Sequence, residues 1–192
     1  MTDFWQTIPH TMFDFMQFYN DMAATLPNPC NIAEVGVADG ASAIFLAERL
    51  RDLGKEYRLR MIDNLAYGQV EQLNTIIHNV SESGCAWNID IMPYDSLNAS
   101  LKFPDNYFDL VFIDSGHTYE LTKAEIRLWI RKVKDGGILA GHDYNSAENP
   151  GVKQAIDELI PFQNLHGNLR IISTEKGYDI WKIIKGPFAH IL

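Results

Sequence analysis

Apolar positions along this chain keep two rhythms in turn. Short runs that are apolar at nearly every position alternate with longer stretches whose apolar residues fall three and four apart. Residues 11–26, TMFDFMQFYNDMAATL, have the second spacing, with Phe15, Phe18, Tyr19 and Met22 on one helical face, and PNPC breaks the helix. A strand is predicted over residues 32–37 and a helix over 41–52. YRLRMIDN reads as the second strand, ending at Asp63, and VEQLNTIIHNVSESG as a helix closed by Gly84. AWNIDIMPYDS is the third strand. YFDLVFIDSGH is the fourth, with the unbroken Leu110-Val111-Phe112-Ile113 of a strand buried on both faces. ELTKAEIRLWIRKVK is amphipathic, turning Leu121, Ile126 or Ala124, Leu128 and Trp129 inward. GGILAG is a fifth strand and GVKQAIDELI a helix. NLRIIS and YDIWKIIK form a closing hairpin around TEKGY.

Strands that alternate with helices imply an α/β fold, a parallel sheet covered by helices on both faces. The closing hairpin requires one antiparallel strand, so the sheet is mixed. The 192 residues read as one domain, 1–192, with no linker or repeat. Charge changes the picture of partners. A net charge of -9 repels phosphate backbones, which argues against nucleic acid. Arg127, Arg131, Lys132 and Lys134 lie close together but at the spacing of a solvated helix face. Cys30 and Cys85 have no metal spacing and read as free thiols in a reducing compartment. No signal peptide or membrane-length apolar run is visible, so the expected location is cytoplasmic, without membrane association.

Candidate chemistry gathers where strands end. In open α/β sheets ligands bind off the carboxyl ends of the strands. The first strand leads into Gly36-Val37-Ala38-Asp39-Gly40, two glycines that leave room for a ligand near the backbone. A dinucleotide loop is G-x-G-x-x-G, with pyrophosphate on the helix N-terminus. Here the pattern is E-x-G-x-x-x-G. The middle glycine is missing and Asp39 adds negative charge, which suits a cationic ligand such as S-adenosylmethionine. Asp63 ends the second strand, where a carboxylate can accept from both hydroxyls of a ribose. Asp95 and Ser96 end the third.

EVGVADGAS, MIDN, FDLVFIDSGHTYE, LWIRKVKDGGILAGHDYN and GVKQAIDELI, in this order, resemble the class I S-adenosylmethionine-dependent methyltransferases. Within them the chain looks most like the small-molecule O-methyltransferases that include the macrocin and cephalosporin-pathway enzymes. The resemblance runs from about residue 30 to the end. It implies a Rossmann-like three-layer sandwich, with a mostly parallel seven-stranded sheet whose last strand is antiparallel. It also implies that Glu34, Gly36 and Gly40 line the methionine end of the cofactor, that Asp63 takes the ribose, and that Asp95 and Ser96 flank the adenine.

Asp114 ends the fourth strand, and His142 and Asp143 end the fifth. Adjacent strands lie about 4.8 Å apart, so these side chains can converge. Crowded carboxylates call for a cation, and oxygen ligands favour Mg²⁺ or another divalent ion. The expected metal set is Asp114, Asp143 and His142. Resembling metal-dependent enzymes carry an acidic pair or Asp-Asn where this chain has His142-Asp143-Tyr144, so metal-dependent and metal-independent chemistry both stay open. His117, in the macrocin-type D-x-x-H position, is the expected general base beside Asp114, drawing on a near-neutral pKa to take a hydroxyl proton. His142 also reads as a group orienting Asp114, and Tyr119 and Tyr144 as either pocket lining or packing. The expected activity is methyl transfer to a hydroxyl of a small sugar or phenol. The alternatives are a metal-independent N-methyltransferase and a cofactor-binding protein without turnover. Residues 1–29 are expected to form a helical segment, with Phe4, Trp5 and His10 as a lid over the acceptor. The short loops leave room for a homo-oligomeric partner to complete the site.

Overall fold

Seven strands make one sheet in the computed structural model, which describes residues 3–9, 13–159, 169–174 and 176–186. The strands are β1 (Cys30–Val35), β2 (Tyr57–Asp63), β3 (Ile89–Pro93), β4 (Phe108–Ile113), β5 (Val133–Gly141), β6 (Leu169–Ile172) and β7 (Ile180–Ile184). Their order is β3-β2-β1-β4-β5-β7-β6. β7 runs antiparallel to both β5 and β6, while β1 to β5 are mutually parallel. The predicted mixed seven-stranded sheet is therefore observed.

Helices α1 (Met16–Thr25), α2 (Ala41–Asp52), α3 (Val70–Glu82), α4 (Ser96–Ser100), α5 (Tyr119–Lys132) and α6 (Pro150–Leu159) cover the sheet. The two faces of β4 show how the layers are filled. Leu110 and Phe112 pack with Phe18, Tyr19 and Phe45 in one core; Val111 and Ile113 pack with Ile126, Trp129 and Ile156 in the other. Both faces of this central strand are buried, which is why its sequence is apolar without alternation.

Three elements differ from the expectation. α1 starts at Met16, because Phe15 caps it outside helical geometry. Residues 86–88 form a 3₁₀ turn, so β3 begins only at Ile89. β5 begins earlier, at Val133, but its pairing with β4 jumps from Phe108↔Val133 to Leu110↔Ile138. The regular ladder is therefore the predicted GGILAG portion. Short α4 was not expected; Asp95 starts it by accepting from Asn98 N at 3.0 Å. Three members of the basic cluster are paired in place: Arg131 and Lys132 with Asp105, and Lys134 with Asp109. Cys30 and Cys85 are free and buried. Among the described residues no helix is long and apolar enough to cross a membrane.

Candidate active site

The parallel strands β1, β2, β3 and β4 all release their chains at one edge, and a cavity of about 720 Å³ opens there. That is the size range of sites that enclose a small molecule. Its floor is the turn after β1. Gly36 sits at φ +86, and a Cβ there would lie 2.0 Å from the Asp114 carbonyl oxygen. This close approach brings the loop against the end of β4, where Asp114 N donates to Val35 O at 2.7 Å. Gly40, at φ +90, is the N-cap of α2 and packs against Met61.

Asp63 holds this loop open. Its Oδ2 accepts from Val37 N at 2.9 Å and Ala38 N at 3.1 Å, while Oδ1 accepts from Leu65 N at 2.7 Å. The expectation from sequence was a ribose ligand; the structure adds a structural duty, since the same carboxylate ties two loops together. Asp63→Ala removes charge-assisted bonds of about 1.5–3 kcal/mol each. The expected result is loss of nucleoside affinity of about 30-fold or more with the fold retained, read by calorimetry with S-adenosylhomocysteine. Unchanged affinity would deny the carboxylate any part in the site.

Glu34 lies behind this wall. It is 1% exposed, between Met61 and Phe112 in the sheet register, and it does not line the cavity. Its carboxyl accepts from Tyr19 Oη at 2.8 Å and from Ser42 Oγ. Ser42 itself faces the cavity. Burial pushes Glu34 up to about 8, against the downward pull of the Ser42 and Tyr19 hydroxyls and with a further push from the Asp114 charge. Glu34 and Gly40 lie behind the cavity wall, whereas Gly36, Asp63, Asp95, Ser96 and Asp114 line the cavity. The Asp95 carboxylate is engaged in capping α4, and its bonds from Asn98 hold its pKa below the ordinary value.

The chemistry-bearing cluster is Asp114, His117 and Asp143, whose ligand atoms all lie within 4.8 Å of one another. His117 Nε2 stands 2.8 Å from Asp143 Oδ2 and 3.6 Å from Asp114 Oδ1, yet its N–H is aimed at neither and makes no well-formed hydrogen bond. Asp114 and Asp143 together raise His117 to about 10, against its partial burial. Between these carboxylates the charged form of the imidazole is favoured. A near-neutral free base, expected from the D-x-x-H position, is not what this geometry provides. Burial pushes Asp143 up, but His117 and the nearby His142 outweigh it and hold the carboxylate below its ordinary range. Asp143 also occupies φ +64, a strained backbone position for a residue with a side chain.

His142 turns another way. Its Nε2 is 2.9 Å from Asp14 Oδ1, in a pair that is almost fully buried, and Nδ1 stands 3.7 Å from Asp114 and 3.8 Å from Asp143. His142 keeps Nδ1 toward both carboxylates while Asp14 holds Nε2, and the three side chains whose ligand atoms converge are Asp114, His117 and Asp143. No sequence signal marks Asp14, which lies 128 positions from its partner. Glu125 was also missed. It is 0% exposed, accepts from Ser115 Oγ and lines the cavity from α5, and burial pushes it up to about 7.

The N-terminal segment contributes Pro9, Phe13 and Phe15 to the cavity wall. Trp5 is instead packed edge-on against Phe45 of α2, and Phe4 N donates to Glu48 of the same helix, so these two anchor the segment. His10 lies outside the described residues. Tyr119 and Tyr144 point to α6, where they donate to Glu158 and Asp157, and neither lines the cavity.

A Rossmann-like sheet with a glycine turn, a loop-holding aspartate and an acidic cluster at one edge defines a nucleoside-cofactor transferase fold. The sequence matches the methyltransferase-domain family over residues 33–144, and the chain belongs to that family. It is a class I S-adenosylmethionine-dependent methyltransferase by family and fold. No curated protein sequence matches the chain. Solved structures share the fold at low identity. A cofactor-bound protein from MTB, Rv0187, superposes with TM-score 0.68 at 18% identity, covering 95% of this chain and 87% of that one. An S-adenosylmethionine-dependent O-methyltransferase from Thermotoga maritima gives 0.66 at 14%, covering 93% and 66%. An rRNA methylase from Streptococcus thermophilus gives 0.67 at 14%, covering 93% and 99%.

Proposed function

We propose that this methyltransferase moves the methyl group of S-adenosylmethionine to a hydroxyl of a small molecule, with a divalent cation held by Asp114, His117 and Asp143. The observation that carries this reading is the convergence of those three side chains on the cavity beside the Gly36 turn. One feature fits a cation: Asp143 Oδ1 is buried without a hydrogen-bond partner beside the converging His117 and Asp114. A proton now balances the two carboxylates on His117; a divalent ion supplies the same balance and lets the imidazole bind as a neutral ligand. The mixed nitrogen and oxygen donors extend the choice from Mg²⁺ to Mn²⁺ and similar ions. When bound, such an ion lowers the pKa of an acceptor hydroxyl.

The chain's own residues do the rest. Asp39 and Asp63 place negative charge around the cationic cofactor. Phe13 and Phe15 close the acceptor side and exclude water. Holding oxygen, methyl and sulfur in line supplies most of the rate. A small acceptor agrees with a cavity of about 720 Å³ and with the -9 charge, which disfavours RNA. The solved O-methyltransferase of similar fold supports the hydroxyl acceptor. A reducing, cytoplasmic setting agrees with the two free cysteines.

The test is calorimetry with S-adenosylhomocysteine, first in EDTA and then with Mn²⁺ or Mg²⁺, followed by turnover on sugars, phenols and catechols. Asp143→Ala is expected to abolish the metal heat and lower kcat at least about 100-fold, with nucleoside affinity kept within about threefold (roughly 0.65 kcal/mol). Full turnover in EDTA would defeat the metal reading and direct the search to nitrogen acceptors.

A further inference from the structure

The sheet begins at Cys30, yet Phe13 and Phe15, well upstream of it, form part of the cavity wall. Most lining residues belong to the turns that follow the strands or to the helices packed on them. Phe13 and Phe15 come from a segment with no strand to hold it. Asp14 stands between them. Its side chain is 3% exposed, and Oδ1 lies 2.9 Å from Nε2 of His142, itself 2% exposed. Asp14 Oδ2 is buried without a hydrogen-bond partner among the described residues, so the contact with His142 is what offsets the burial of this carboxylate. His142 lines the cavity at the end of β5, and its ring packs on Phe15 with centroids 4.9 Å apart. Phe13 also packs on Phe45, and Phe15 on Phe112. Ring contacts of this kind are favourable over a range of positions, whereas the bond from Asp14 to His142 has one length and one direction. It sets where the segment stands against β5. The other ring nitrogen, Nδ1, faces Asp114 at 3.7 Å and Asp143 at 3.8 Å, so one imidazole lies between the N-terminal segment and the acidic cluster.

We infer that Asp14 is a positioning residue: through His142 it seats Phe13 and Phe15 as a wall of the cavity, and a bound nucleoside leaves by unseating that wall. The inference rests on the reading that the cavity takes S-adenosylmethionine, whose product S-adenosylhomocysteine has to leave after each transfer. Asp14 does not line the cavity, so it acts on the ligand only through the residues that do. A wall that swings aside speeds entry and exit together, and affinity then moves by less than either rate.

The experiment measures association and release of S-adenosylhomocysteine, the latter by chasing labelled with unlabelled ligand, on the unaltered protein and on four variants. Asp14→Ala is expected to release the nucleoside at least about tenfold faster and to take it up faster, with affinity kept within about threefold. Asp14→Ser is too short to reach the ring but can hold a water against it, so it reports the same change where Asp14→Ala fails to fold. Asp14→Asn keeps an oxygen for His142 Nε2 and keeps the release rate within about threefold. Asp109→Ala is the control for lost stability. It removes another buried carboxylate, at the start of β4 and outside the cavity, where it accepts from Asn31 N and pairs with Lys134. It is expected to lower the urea midpoint and leave both rates in place. Unchanged rates in Asp14→Ala or Asp14→Ser would overturn the inference. So would faster release in Asp14→Asn or Asp109→Ala as large as in Asp14→Ala, or faster release with no gain in association. Failure of the unaltered protein to bind S-adenosylhomocysteine at all would overturn the cofactor reading instead.

Discussion

Gly36→Ala is expected to destabilise the fold by about 3 kcal/mol or more and to abolish nucleoside binding. Two costs add. The φ of +86 strains any residue with a Cβ, and the added carbon would stand 2.0 Å from Asp114 O, 2.5 Å from Asp114 C and 2.8 Å from Ser115 Cα. All three are backbone atoms, so no side-chain rotation relieves the clash. Relief requires β1 and β4 to separate at their ends, where Asp114 N bonds Val35 O, and pulls on the bond from Gly36 N to Ile62 O of β2. That separation moves the cavity floor and Asp114 together. Gly54→Ala is the control: its φ is +66, but nothing lies within 4 Å of the new carbon. It is expected to cost only about 1 kcal/mol. Urea unfolding of both variants, with calorimetry on S-adenosylhomocysteine, reads the difference. Equal behaviour of the two would show that the close packing of the β1 turn on β4 has no energetic weight.

Stability is expected to fall as pH rises from about 5 to 8, and Glu34→Gln is expected to remove a large part of that fall. The ordinary pKa of Glu34 is 4.5, and in the fold burial raises it to about 8. Between these values the native state holds a proton that the unfolded chain has released. Stability therefore declines with pH across that window, by as much as about 1.4 kcal/mol per unit, and is level again above the folded pKa. The full span is about 5 kcal/mol. Glutamine keeps an oxygen for Tyr19 and an amide for Ser42 and has no proton to lose. Glu125, raised to about 7, has the same sign and leaves a smaller fall that ends near pH 7. Urea midpoints at half-unit pH steps distinguish the two. His117, raised from 6.5 to about 10, adds a fall of the same sign above pH 6.5 that Glu34→Gln leaves in place, so a Glu34→Gln profile identical to that of the unaltered protein is the result that would place the titration elsewhere.

Asp63, Asp114 and Asp143 were legible because each stands at the end of a strand whose apolar run is plain, and parallel strands end on the same edge of a sheet. The α/β class, the antiparallel last strand and the glycine turn followed from the same local patterns. Glu34 was visible as an anomaly in a strand, but its place behind the cavity wall was not: alternation says which face a side chain takes, not how many layers cover it. Glu125 sits next to Ile126 in a helix where acidic residues are common, and nothing in the helical period separates a buried glutamate from a solvated one. His117 and His142 could be placed near Asp114, but their roles could not be divided, because the division depends on Asp14. That residue arrives from the N-terminal segment and fixes one ring by a contact no local spacing encodes.

By itself, then, the sequence determined the order of elements, the class of sheet and the strand ends where chemistry collects, all of which rest on periodicity and on short-range backbone preference. Only the tertiary structure decided charge and direction: that Glu34 is buried and raised to about 8, that His117 lies between two carboxylates and is raised to about 10, and that Asp14 holds the ring of His142. The physical reason is that a pKa or a ring's direction is set by desolvation and by partners brought from distant parts of the chain.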